Sequence, residues 1–173
     1  ANAIREFARD QKPDRWARAM VPCGYNDVLV DTCFLLPRWT LDYYRYSGDL
    51  SVVHDAFQGV RNLIKVAESF RDRRGFAHPG PKGTVYIDYT MPPTSRCGDT
   101  IGALQAQYLT ALEAAVHLAE IVGESLLARR WRLQATRLRH RIQEHFWVPE
   151  EGLFVDGLRK GKPGGTFSAV TNY

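Results

Sequence analysis

Two kinds of helical pattern alternate along the chain. Residues 28–47, VLVDTCFLLPRWTLDYYRYS, are apolar or aromatic on most faces, which predicts a helix buried on several sides and kinked at Pro37. Residues 50–72 carry a single apolar stripe, Val53, Phe57, Val60, Ile64, Ala67 and Phe70, with Asp55, Arg61, Lys65 and Arg71 off it. That spacing predicts an amphipathic outer helix. Gly48 and Asp49 separate the two: glycine adopts the left-handed conformation that closes a helix, and the acid favours the positive end of the next one. The order then repeats. Residues 99–122 are mostly apolar, Gly123 and Glu124 turn the chain, and Leu127, Trp131, Ala135, Leu138, Ile142 and Phe146 form the stripe of a second amphipathic helix. Residues 2–11, with Ile4, Phe7 and Ala8 on one side, predict the end of an earlier helix stopped by Pro13.

A buried helix, a tight Gly-acid turn, an exposed helix and a long loop make one unit, and Gly48 and Gly123 mark two copies 75 residues apart. This is the pattern of an all-α fold of antiparallel helical hairpins arranged around a closed ring. The short turns then lie at one end of the ring and the long connections at the other, beside the starts of the inner helices. Residues 73–96 are one such connection, rich in Gly and Pro and interrupted by TVYIDY, which alternates like a short strand. VPEEGLFVDGLRKGKPGGTF is the other. Loops over a rigid scaffold are the usual place for function, so CGYNDVLVD, YIDYTMPPTSRCGD and GGTFSAVTNY are expected to share a functional rim.

Charge changes this picture little. The formal net charge is +4, much of it in LLARRWRLQATRLRHR, yet those arginines flank an apolar stripe and no base-stacking or phosphate-cradling motif accompanies them. They read as the solvated face of an outer helix, with no nucleic-acid partner. No apolar run reaches the roughly 18 residues of a membrane span, and the start lacks the order of a signal peptide, so no membrane association is expected. Cys23, Cys33 and Cys97 show no metal-ligand spacing and read as buried thiols; no metal or cofactor is expected. The odd cysteine count favours a reducing, cytoplasmic compartment without excluding the periplasm.

On the rim, Asp88 and Tyr89 pair an acid with an aromatic ring, the combination that lets a ring stack on a sugar while a carboxylate accepts hydrogen bonds from its hydroxyls. The alternative is a turn cap beside a core tyrosine. Asp31 falls one turn inside an apolar helix, where a carboxylate needs partners or water. Asp27 is expected to cap that helix. Tyr25 is a rim candidate by position alone. His54, His117, His140 and His145 are expected on helices away from the rim, and no GxSxG, GxxxxGK[ST] or GxGxxG motif is present.

The series VDTCFLLPRWTLDYYRYSGD, YIDY, ALQAQYLTALEAAVHLAEIVGE, IQEHFWVPEEGLFVDG and TFSAVTNY resembles the middle of the six-hairpin catalytic domain of bacterial α-L-rhamnosidases, glycoside hydrolase family 78. The resemblance implies that residues 1–173 form part of an (α/α)6 barrel, completed by further protein, that hydrolyses terminal α-L-rhamnosides with inversion. It implies a carbohydrate substrate and places the catalytic acid and base outside these residues. Asp88 and Tyr89 match the family's Asp-Trp pair at the sugar pocket, with Tyr replacing Trp; Asp31 matches an acid near the pocket wall. Two and a half hairpins cannot close a ring, so residues 28–47 and 101–122 are expected to expose broad apolar faces. A non-catalytic helical module binding a protein or polysaccharide is the alternative, as is another six-hairpin glycosidase activity.

Overall fold

The computed structural model describes residues 1–22, 26–87 and 98–172. Helix α1 (Asn2–Asp10) precedes two hairpins, α2 (Val30–Ser47) with α3 (Leu50–Ser69), and α4 (Gly102–Ile121) with α5 (Ser125–Phe146). The inner helices α2 and α4 pack on each other, while α1 lies along α3 and α5 covers α4. The fold is thus all-α, built of antiparallel helical hairpins as expected from the repeated pattern.

Both hairpin turns use glycine in the left-handed conformation, Gly48 at φ 69° and Gly123 at φ 82°. The Gly48 amide donates to the Tyr44 carbonyl at 2.8 Å, ending α2. Asp49 then caps α3, its carboxylate accepting the Ser51 amide at 3.0 Å. Glu124 stands at the matching position of α5 without a side-chain cap, and faces Arg61 at 3.7 Å. The same turn therefore forms whether or not its acid caps the next helix.

Aromatic contacts tie the layers together. Phe34 of α2 stacks on Tyr108 of α4 with centroids 5.1 Å apart, and Trp16 stands edge-on to Phe34 while stacking on Phe70. Phe57 and Trp131 join the outer helices α3 and α5. Each buried aromatic or aliphatic side chain of this core contributes about 1.5–3 kcal/mol by its removal from water. Helices α1 and α3 come close at Gly59, where a Cβ would lie 2.6 Å from the Ala8 carbonyl oxygen. No larger residue fits there without separating the helices.

Four expectations need correction. Helix α2 starts at Val30 with Leu29 as its N-cap residue; Asp27 is exposed and does not cap it. The chain stays extended through Val28 because the Thr84 amide donates to the Val28 carbonyl and the Val30 amide donates to the Thr84 carbonyl, both at 2.9 Å. The connection after α5 contains strands: β2 (Trp147–Val148) pairs with β3 (Leu153–Phe154), and β4 (Gly157–Arg159) lies between β1 (Thr100–Ile101) and β5 (Lys162–Pro163), all antiparallel. His145 sits in the last turn of α5, at the loop end, edge-on to Phe76. Broad exposed apolar faces on the inner helices are also missing: among the described residues their exposed large apolar side chains are Trp39 and Tyr46. The outward side of α4 carries Ala106, Thr110, His117 and Glu120 instead. Helix α2 runs unbroken through the buried Pro37.

Candidate functional site

The inner helices start at the same end of the molecule, where the long connections meet. Each connection is held there by a buried polar side chain. Asp10 and Gln11, at the end of α1, organise the first. The Asp10 carboxylate accepts the Arg18 amide at 2.8 Å and the Arg18 guanidinium at 2.7 and 3.1 Å. Burial pushes its carboxyl up, but the hydrogen bonds from Arg18 and Arg15 outweigh it and bring the pKa down to about 2. The Gln11 amide, almost fully buried, donates to the Lys12 and Arg15 carbonyls and accepts the Ala17 amide.

Gln105, in the first turn of α4, holds the second connection. It accepts the Ala77 amide at 2.8 Å and donates to the Ala77 carbonyl at 3.0 Å, reading both backbone groups of one residue. Asp72 shapes the approach to it. Its carboxylate accepts the Phe76 amide and faces Arg74, and these interactions hold its pKa below the usual range against the opposing effect of burial. Asp156, fully buried between β3 and β4, anchors the third: Oδ1 accepts from the Ser168 amide and from the Ser168 and Thr171 hydroxyls, setting the start of α6 (Ala169–Asn172).

Asp31 belongs to this set. It lies in the first turn of α2 with 7% exposure, and Oδ1 accepts the Tyr86 amide at 2.9 Å. Together with the two backbone bonds of Thr84, this fixes residues 84–86 alongside the start of α2. Val85 points into the core and Tyr86 is 40% exposed, so the described residues 84–87 show the start of the alternation, with Thr84 bridged to Leu29. Asp88, Tyr89 and Tyr25 lie outside the described residues, as do Cys23 and Cys97. Of the four candidate sugar-site residues, Asp31 is thus the one whose contacts can be given.

Tyr86, Gln105 and Asp156 were not singled out from the sequence. Tyr86 could have been found from the strand-like alternation of TVYIDY, which sets it on the face opposite Val85. Gln105 sits four residues from both Ile101 and Leu109, at a helix position whose neighbours are apolar, and a polar residue there signals a buried partner.

A cavity of about 470 Å³ opens between residues 77–85 and 98–104. Ile101 and Leu104 provide apolar surface, and His78, Thr84 and Asp99 provide hydrogen-bonding groups. Such a mixture suits a small polar ligand with one apolar face. Among the described residues no cluster of three or more His, Cys, Asp or Glu could hold a metal, and no helix is long and apolar enough to cross a membrane. The Cys33 thiol is buried, its pKa pushed up to about 12 chiefly by desolvation, which makes it a poor nucleophile. His54, His117 and His140 are exposed on the helices.

This arrangement of helical hairpins recurs in solved structures. The family 78 rhamnosidase of Bacillus sp. GL1 superimposes with a TM-score of 0.81 at 15% identity, covering 96% of this chain and 17% of its own. A rhamnosidase from Klebsiella oxytoca with rhamnose bound superimposes with a TM-score of 0.75 at 20% identity, covering 97% of this chain and 32% of its own. The chain therefore spans less than a third of either relative, and the likeness at these identities concerns the fold. No curated protein matches it. Residues 1–164 match the bacterial alpha-L-rhamnosidase 6 hairpin glycosidase domain, which is nearly the whole chain, and the chain belongs to that family.

Proposed function

We propose that the chain is part of a glycoside hydrolase that releases terminal α-L-rhamnose with inversion at the anomeric carbon. The family match over residues 1–164 carries this reading. In an inverting reaction one carboxylic acid protonates the glycosidic oxygen as the bond to the anomeric carbon breaks. A second carboxylate, about 6.5–9.5 Å away, takes a proton from the water that attacks the opposite face. We assign that pair to parts of the barrel outside residues 1–173. Within the chain, Asp88 and Tyr89 receive the sugar, the carboxylate accepting from hydroxyls and the ring stacking on an apolar face. Tyr25 is assigned to the same rim from its place in the chain. Asp31 acts through the Tyr86 amide that it holds, and so orients the segment leading to Asp88.

The test is hydrolysis of a panel of aryl glycosides by the intact gene product, with the first-formed anomer followed by NMR. Release from the α-L-rhamnoside, with β-L-rhamnose appearing first, is the expected result. Tyr89→Ala is expected to raise KM roughly three- to tenfold, the worth of one stacking contact, with a smaller change in kcat. A folded intact protein that binds carbohydrate but cleaves nothing in the panel would replace this reading with that of a non-catalytic module.

A further inference from the structure

A second cavity, of about 380 Å³, lies between the outer helices α3 and α5, with Tyr108 and Leu112 of α4 among its lining residues. Four arginines, Arg71, Arg73, Arg137 and Arg141, line it together with Glu68 and Asp72. The two acids are already engaged. Glu68 accepts from Arg130 at 2.9 and 2.8 Å and from Gln134, and Asp72 faces Arg74 at 2.9 Å. Arg73, Arg137 and Arg141 form no ion pair among the described residues, so the cavity keeps an excess of positive charge held by fork-shaped donors.

Two buried polar atoms point to what balances it. Tyr108 is 1% exposed, and its hydroxyl has no hydrogen-bond partner of ordinary geometry. The Arg71 guanidinium reaches that hydroxyl as a donor and Glu68 acts on it electrostatically, so it lies at the cavity end of the ring with its own proton lacking an acceptor. Gln134 donates through its amide nitrogen to Glu68, leaving Oε1 buried and without a donor. A buried donor and a buried acceptor without partners are costly unless a ligand meets both. A tetrahedral oxyanion that still carries one proton does so: its unprotonated oxygens accept from Tyr108 and the arginines, and its hydroxyl donates to Gln134 Oε1.

We propose that this cavity is a binding site for phosphate, a reading independent of the glycosidase reading. Phosphate near neutral pH supplies both kinds of oxygen, whereas sulfate is fully deprotonated and has no donor for Gln134. The site would recognise either the free ion or a phosphate monoester still carrying a proton.

The experiment is calorimetric titration of the intact protein with inorganic phosphate, methyl phosphate and sulfate at pH 6.5 and constant ionic strength. Saturable phosphate binding at least tenfold tighter than sulfate is expected. Equal affinity for methyl phosphate would show that the site accepts a phosphate monoester as well, and its failure to bind would restrict the ligand to the free ion. Arg137→Gln/Arg141→Gln, at the protein surface, should lose at least tenfold in phosphate affinity, and Tyr108→Phe, which keeps the stacked ring, should lose several-fold. Arg132→Gln, on the same helix but paired with Glu120, should change nothing. No saturable phosphate binding, sulfate binding as tightly as phosphate, or an unaltered double variant would overturn the proposal.

Discussion

At one end of the hairpins, Gly48 and Gly123 close the inner helices, and a side chain added at either would meet nothing within 4 Å. At the other end, Gln11, Gln105 and Asp156 are almost completely buried, and Gln11 and Gln105 each bond backbone groups of a connection between an outer and an inner helix. The first end depends on backbone conformation, with one exposed cap at Asp49. The second depends on complementary pairing inside the protein, where an unmatched group loses its water and gains nothing. The difference teaches where the fold spends its specificity: the hairpins need only a turn, while the rim needs each connection in one position.

Substitutions should separate the two ends. Gln105→Leu keeps the volume but strands the amide and carbonyl of Ala77, and is expected to cost about 3 kcal/mol in equilibrium urea unfolding. A loss no larger than that of a surface change would show that the second connection is held by packing alone. Asp10→Asn is expected to cost about 2 kcal/mol at neutral pH, from a shift of about two pKa units. Because the folded-state pKa is depressed, that contribution is fully present above the unfolded value near 4 and disappears as pH falls through about 2. The stability difference between wild type and variant should therefore be constant from pH 7 to 5 and collapse below pH 4. A difference that persists at pH 2 would show that the charge is not what holds Arg18. At the turn end, Gly48→Ala and Gly123→Ala should each cost about 1 kcal/mol, the penalty of a left-handed residue with a Cβ. Asp49→Ala should cost less, and Glu124→Ala nothing measurable, since only Asp49 caps its helix. Equal losses at the two acids would show that they act through the helix field alone.

The helices were legible because their apolar positions recur at helical spacing: Val53, Val60, Ile64 and Ala67 of α3 are all buried, as are Trp131, Ala135, Leu138 and Phe146 of α5. The small strands were not. Two or three residues such as Thr100–Ile101 are too few to show a period, and their pairing with Leu158 and Gly157 comes from the distant end of the next unit. The misplaced start of α2 has a similar origin. Asp27 is a good capping residue in isolation, but pairing of Val28 and Val30 with Thr84 keeps the chain extended past it. At the candidate site, Asp31 stood out as an acid in an apolar helix, while its partner, the Tyr86 amide, is 55 residues away and leaves no local mark. Asp88, Tyr89 and Tyr25 rest on the family resemblance and on their place in the chain.

The open space around Gly48 and Gly123 also makes the short turns attachment points. A fluorophore or affinity tag inserted after either glycine would project into solvent, far along the helices from the rim and from every buried amide that orders it. Reporters placed at both turns would give the angle between neighbouring hairpins as ligands arrive, without touching the residues that bind them.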